Sequence, residues 1–277
     1  MNIKRKQQGF ILLLFILILL LIGSIKLLSA SHSNASEYQY LRLQQHQHQL
    51  SQAKHNLLLH SQLTPELYAT NSNGQFLPGD RIPGPGYLPC PDTDFDGESN
   101  TPCGQGSDYV IGQLPQRIAT RHFNLHQHPY PIWYAVDSRY VIQNADYHNP
   151  LTKRYAPLNP EQPGHGHLSL DQQTNLIAIL ILQPDHTPLN PNTFHQHHNH
   201  FSANQQLSLT LSHAEWQQIL KRQLNKQRQR LCALPTQQPH WFNACNNRQH
   251  ANLAHCQQQL DQPDNPTGNN WRQRLCS

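Results

Sequence analysis

The residues best suited to chemistry lie in one short acidic stretch. Asp92, Asp94 and Asp96 alternate along the chain, and Gly97 follows them. Alternating carboxylates converge on one side of a curling chain, Gly permits the sharp turn, and hard oxygen ligands suit Ca²⁺. The twelfth position, where an EF-hand has a bidentate Glu, is Cys103, so the stretch is not an EF-hand. The possible calcium ligands are Asp92, Asp94, Asp96, Glu98 and Asn100.

Two interpretations of this stretch stay open. In the first, the carboxylates bind a calcium ion, whose role would be structural rather than catalytic. In the second, they only cap backbone amides in an Asp-rich turn. A disulfide between Cys90 and Cys103 would hold the loop shut, and closing a loop of that size contributes roughly 3 kcal/mol in the chain-entropy model.

The chain has six Cys residues, and all of them follow a long apolar run near the N-terminus. An even number of Cys in an exported domain predicts up to three disulfides. The spacings are too wide for the close Cys pairs of a zinc knuckle. Four of the six lie in the C-terminal tail, where three pairings are possible: Cys232, Cys245, Cys256 and Cys276.

The densest group of the 20 His residues is His195, His197, His198 and His200. Imidazoles this close can bind Zn²⁺, Cu²⁺ or Ni²⁺. Because no acidic residue lies nearby to orient the rings, we favour a solvated polar loop over a metal site.

Motifs typical of enzymes are absent from the sequence. It contains no Gly-x-Ser-x-Gly, no His-Glu-x-x-His and no phosphate-binding Gly loop. The formal net charge is +4, and no basic stripe interleaved with aromatic residues occurs, which argues against nucleic-acid binding. We therefore predict a protein that is not an enzyme, has no catalytic residues and does not bind nucleic acid.

The N-terminal segment is the element that would position the rest of the chain. Residues 10–22 are all apolar, and the run extends to Leu28 if Lys26 reaches the interface. About twenty helical residues span a bilayer core of about 30 Å. Three basic residues precede the run, so the N-terminus is expected in the cytoplasm and the remainder outside it. The sequence thus predicts a transmembrane helix over 10–28; a signal peptide cleaved near Ser31 is the alternative.

Gly9 follows a polar, basic stretch and directly precedes Phe10 and the apolar run. This junction resembles the leader of type IV prepilins and type II secretion pseudopilins. The resemblance implies that a prepilin peptidase cuts between Gly9 and Phe10 and that Phe10 becomes methylated. Most such proteins have Glu at the fifth mature position; here it is Leu14, as in some minor pseudopilins placed at a filament tip.

Further motifs resemble a poorly characterised set of bacterial pilin-like proteins. A Leu-Pro-x-Pro-Asp-Thr-x-x-Asp-Gly segment begins at Leu88, a Gly-x-Leu-Pro segment at Gly112 and a Trp-Tyr-Ala-Val strand at Trp133. The resemblance covers roughly residues 1–231 and brings no enzymatic residues. Calcium-stabilised heads are also known among the pseudopilins.

These resemblances imply a minor pilin-like or pseudopilin-like structural subunit of a type IV pilus or type II secretion machinery. It would act by assembly through its N-terminal helix. Its partners would be other pilin or pseudopilin subunits, inner-membrane assembly proteins and the prepilin peptidase. It would cross the bacterial inner membrane once, with its head in the periplasm, or join a pilus or pseudopilus. The alternative is a monomeric, membrane-tethered periplasmic module that binds calcium or another ligand.

Hydrophobic patterns predict the remaining elements. Residues 132–136 and 176–182 are apolar strands, and the second should be buried on both faces. Ser212 and Glu215 form a capping-box pattern that opens a helix ending near Leu231. The basic side of this helix is expected to face solvent, with an acidic partner surface as the alternative.

We therefore expect an α+β, pilin-like fold. Its long N-terminal helix, transmembrane and then amphipathic, would pack on an antiparallel sheet, followed by a disulfide-bearing tail. The expected segments are a leader (1–9), a transmembrane helix (10–28), its periplasmic continuation (29–63), a globular head (64–231) and a Cys-containing tail (232–277).

Overall fold

The computed structural model describes residues 4–70, 74–79, 82–118, 123–125, 130–143, 158–160, 164–183, 194–243 and 271–277. Cys245 and Cys256, two of the candidate disulfide residues, lie outside them. The chain divides into two compact units, residues 1–48 and 49–277.

Helix α1 (Lys4–Leu67) is a single helix of 64 residues, and the backbone of Gly9 and Phe10 lies within it. In the first unit, its described apolar side chains from Leu13 to Ile22 are between 43% and 69% exposed. The helix continues to Leu67, past Pro65 and four residues beyond the predicted boundary at 63.

The prediction of a membrane-spanning helix is contradicted. Across the residues that the structure describes, no helix is long and apolar enough to cross a bilayer. The transmembrane part of the fold class and the single-pass inner-membrane location are therefore wrong.

The second unit is α+β and is built on a seven-stranded sheet in the order β1-β4-β6-β5-β8-β7, with β9 also paired to β6. Strand β6 is long enough to pair with both β4 and β5 along one side and with β9 along the other. All pairs are antiparallel except β5 with β8. The strands are β1 (Tyr109–Gln113), β2 (Arg117–Ile118), β3 (Phe123–Asn124), β4 (Ile132–Asp137), β5 (Leu168–Leu170), β6 (Gln173–Leu182), β7 (His195–His197), β8 (His200–Phe201) and β9 (Ser208–Ser212). Strands β2 and β3 form a separate two-stranded ribbon.

The two central strands, β4 and β6, are buried on both faces, as predicted for residues 176–182. On one face, Tyr134 and Leu180 belong to a core that includes Leu57 of α1 and Trp216 of the second long helix. On the other face, Trp133 packs with Phe194, Phe201 and neighbouring aliphatic residues. Because both faces of these strands are covered, their buried parts are continuous runs of apolar residues and do not alternate between apolar and polar residues.

Helix α2 (His213–Ala233) begins where the capping pattern predicts. The Ser212 hydroxyl accepts a hydrogen bond from the Glu215 amide at 3.2 Å. Glu215 in turn accepts a hydrogen bond from Lys54 of α1 at 2.7 Å, which ties the two helices together. Trp216 and Leu220 lie on the face of α2 that covers the sheet.

The C-terminal tail packs on the end of α2 in a small separate core. Leu231 of α2 packs with Trp241, Phe242 and Leu275. A disulfide joins Cys232 to Cys276, at the end of the short helix α3 (Trp271–Cys276). The bond therefore fastens the described end of the chain to α2.

Candidate functional site

The residues between Cys90 and Cys103, here called the acidic loop, are fixed at both ends. Cys90 and Cys103 form a disulfide with a Cα–Cα distance of 5.9 Å, the pairing that the sequence suggested. Asp92 forms a β-bridge with Gln113 of β1. A Cβ on Gly112 would lie 2.4 Å from the Asp92 carbonyl oxygen, so only glycine allows this close approach of loop and strand.

Within the acidic loop, the carboxylates cap backbone amides. Asp92 is fully buried, and its two oxygens accept hydrogen bonds from the amides of Phe95 (2.7 Å) and Gly97 (2.8 Å). Asp96 accepts a hydrogen bond from the Glu98 amide at 2.7 Å. Asp94 accepts one from the Asn100 side-chain amide at 3.1 Å. These bonds are those of an Asp-rich turn.

The same loop also brings three carboxylates together. One oxygen from each of Asp92, Asp94 and Asp96 can be chosen so that all three lie within 4.8 Å of one another. Burial raises the pKa of Asp92, whereas the Asn100 side chain lowers the pKa of Asp94. Among the residues with a described placement, no other group of His, Cys, Asp or Glu converges in this way. Oxygen donors at this spacing fit a hard divalent cation.

Glu98 and Asn100, the other two candidate ligands, are occupied by other partners. Glu98 accepts a hydrogen bond from Arg117 Nε at 2.8 Å and forms an ion pair with the same guanidinium at 2.7 Å. The Asn100 side-chain oxygen accepts hydrogen bonds from the amide and hydroxyl of Thr93. The structure therefore places three of the five candidate ligands together and the other two in the scaffold of the loop.

The His cluster forms a β-hairpin rather than a loop, although its residues His197, His198 and His200 are exposed to solvent as expected. His195 and His197 lie on β7, and His200 lies on β8. His195 Nε2 is 3.0 Å from the hydroxyl oxygen of Tyr109, and His200 Nδ1 contacts the Ser169 hydroxyl. Within the described part of the chain, these imidazoles do not converge on a common metal position.

Phe95 is a feature of the acidic loop that the sequence reasoning missed. Its side chain is 56% exposed, and its backbone φ is +65°. A bulky residue rarely adopts this left-handed conformation. The sequence signal, an aromatic residue between Asp94 and Asp96 in a turn, is visible but does not reveal the backbone angle.

A groove between α1 and α2 is a second feature that sequence alone did not show, and it is here called the α1–α2 groove. It encloses about 370 Å³. Leu58, Leu59 and Ile219 supply its apolar surface, and Arg222 and Lys226 line it with cationic side chains. The basic side of α2 therefore borders an apolar concavity as well as solvent.

Comparisons of the chain with protein-family models, curated proteins and solved structures found no match.

Proposed function

We propose that the chain is a structural subunit, pilin-like or pseudopilin-like, that assembles with other subunits through the N-terminal part of α1. The observation that carries this proposal is the exposure of the aliphatic and aromatic side chains from Leu13 to Ile22. Ten successive apolar residues on a helix cover all of its sides. A contiguous exposed apolar surface of this kind marks an interaction site.

The chemistry of this surface indicates what it binds. The run from Leu13 to Ile22 contains no charged or hydrogen-bonding side chain, so it offers only packing contacts. Helices with such surfaces pack by fitting the ridges of one into the grooves of another. A second helix with the same apolar run is the simplest partner, and lateral packing of like helices builds a filament core. The resemblance of the Gly9–Phe10 junction to prepilin leaders supports the same role, in a pilus or secretion machinery.

A matched pair of substitutions tests this assembly. Leu17→Asp places a carboxylate within the run, whereas Leu43→Asp places one on the same helix outside it; the two leucines are 53% and 47% exposed. Burying an unpaired carboxylate between helices is strongly unfavourable. Sedimentation velocity over a range of full-chain concentrations should show assemblies for the unsubstituted chain and for Leu43→Asp, and smaller species for Leu17→Asp. Equal behaviour of the two variants would contradict the proposal.

The second candidate function, favoured by the converging carboxylates, is calcium binding by the acidic loop. Asp92, Asp94 and Asp96 would hold the ion, which would brace the loop and carry out no chemistry. Isothermal titration of the full chain with Ca²⁺ should show one site, lost in Asp94→Asn and kept in Glu98→Gln, because Glu98 pairs with Arg117. Absence of binding, or binding that Asp94→Asn leaves unchanged, would show that the loop is only a capped turn.

A further inference from the structure

The α1–α2 groove has a distinctive combination of shape and charge. Arg222 and Lys226 are four residues apart on α2, so they lie on the same side of the helix. Both are exposed, and neither forms an ion pair within the described ranges of the chain. Beside them, Leu58, Leu59 and Ile219 are only partly covered. The complementary occupant is an apolar side chain with carboxylates on either side.

The acidic loop of the same protein has this composition. Phe95 is exposed and lies between Asp94 and Asp96, which are exposed as well. The disulfide and the bridge to β1 hold the loop in place, so little ordering is needed on binding. The phenyl ring makes no contribution to the buried core, yet it occupies a backbone conformation unfavourable for a bulky residue. A residue held in such a conformation is a reason to look for function.

We propose that the acidic loop of one copy of the chain docks into the α1–α2 groove of a second copy. Phe95 packs on Leu58, Leu59 and Ile219, while Asp94 and Asp96 face Arg222 and Lys226. A groove of about 370 Å³ has room for one aromatic side chain. Opposite charges around an apolar contact favour this pairing and fix its orientation.

The contact is heterologous, because the loop and the groove have no residue in common. After one such contact, the first copy keeps a free groove and the second a free loop, so further copies can add at both ends as an open chain of subunits. The inference rests on the proposed function, to which it adds a specific contact between subunits. All of its residues belong to the second unit, and none comes from the apolar run Leu13–Ile22.

Site-specific photo-crosslinking of the full chain tests the contact. The photoreactive residue p-benzoylphenylalanine replaces Phe95, and in a control chain it replaces Phe76, which is 86% exposed and has uncharged neighbours. Unlabelled and ¹⁵N-labelled copies are mixed and irradiated, and mass spectrometry identifies crosslinks that join a light peptide to a heavy one. Position 95 should crosslink to residues 55–62 or 219–226 of the other copy, and position 76 should not.

Charge substitutions then test the chemistry of the groove. Arg222→Glu should lower the crosslink yield from position 95 by roughly fivefold or more, because it turns attraction into repulsion. Arg230→Glu is the matched control: it makes the same change at an exposed position two turns further along α2 and outside the groove. Its yield should stay unchanged. Introducing Asp94→Lys together with Arg222→Glu should restore part of the yield.

The outcomes separate this inference from the proposed function. The inference is overturned if position 95 crosslinks outside the groove, or if Arg222→Glu leaves the crosslink yield unchanged. Sedimentation of Leu17→Asp tests assembly through α1 independently of these results. Persistence of the groove crosslink in a chain that shows no assembly through α1 overturns the proposed function instead. A synthetic peptide with Phe between acidic residues that binds the groove, without any crosslink between copies, would assign the groove to a different partner and overturn the inference.

Discussion

His60 is the residue at which burial most clearly governs ionisation. It lies in α1 and is fully buried, with Nδ1 3.1 Å from the carbonyl oxygen of Tyr87. Burial disfavours the charged imidazolium and lowers the pKa of His60 to about 4, although the contact with Tyr87 partly opposes this shift. The ring is therefore neutral at pH 7 and must take up a proton in a buried site when the pH falls.

This shift predicts loss of stability in mild acid. The folded-state pKa of His60, about 4, lies below the reference value of 6.5, so the unfolded chain binds the proton more tightly. The stabilising contribution of the neutral His60 ring is therefore fully present above pH 6.5 and is lost as the pH falls towards 4. The free energy of unfolding falls by about 3 kcal/mol in total, at about 1.4 kcal/mol per pKa unit. Urea unfolding at a series of pH values measures it.

Two variants isolate the contribution of His60 from those of other histidines. His60→Gln should reduce the pH dependence of the unfolding free energy between pH 4 and 6.5. Part of that dependence should remain, because burial also lowers the pKa of His213 and His240. His48→Gln, at an exposed position, should leave that dependence unchanged. An unaltered slope in His60→Gln would show that this imidazole does not govern acid stability.

At the level of single residues, the sequence predicted part of the acidic loop. The alternation of Asp92, Asp94 and Asp96 was enough to infer converging carboxylates, because that outcome depends only on local chain geometry. The partner of Glu98 could not be inferred, since Arg117 is nineteen residues away and reaches it only through the fold. The left-handed backbone of Phe95 was also hidden, because it results from the turn and not from the residue type.

Among the elements, strand β4 ends in a buried charge network. The Asp137 carboxylate is fully buried and accepts hydrogen bonds from the backbone amide of His167 at 3.0 Å and from the side chain of Arg139, with Nη2 at 2.5 Å. Arg139 also donates to the carbonyl oxygen of His165 at 2.8 Å. The network therefore fixes the end of β4 to the segment that leads into β5.

Removing this carboxylate should destabilise the sheet. Asp137→Ala leaves the Arg139 guanidinium, only 13% exposed, without its counter-ion, and we expect the free energy of unfolding to fall by about 3 kcal/mol. Glu98→Ala breaks an ion pair to Arg117, whose side chain is 59% exposed, and should cost less than about 1 kcal/mol. Chemical denaturation compares the two variants. Equal losses would mean that the Asp137 network is not a structural anchor.

The elements predicted from sequence were those with strong local signals. Strand β6 has seven consecutive apolar residues, and α2 follows a Ser212–Glu215 cap, so both could be placed to within a few residues. The hairpin of β7 and β8 was missed because its polar His residues lack a strand-like apolar pattern. The transmembrane assignment was wrong, since a run of apolar residues does not distinguish a membrane span from other apolar helices.

At the scale of the whole molecule, one subunit offers two kinds of contact surface. The apolar run Leu13–Ile22 supplies packing surface on α1, and the acidic loop with the α1–α2 groove supplies charge and shape complementarity on the second unit. Non-directional apolar packing holds subunits together, whereas charged contacts set their register. A pilin-like subunit needs both properties to build an ordered filament.

Mass spectrometry of the mature N-terminus, on the chain purified from its native cells, tests the pilin-like role most directly. We predict that the chain begins at Phe10, carries a methyl group on its terminal amine and so keeps the apolar run of α1. An intact Met1, or a chain that begins near Ser31 and has lost that run, would contradict it.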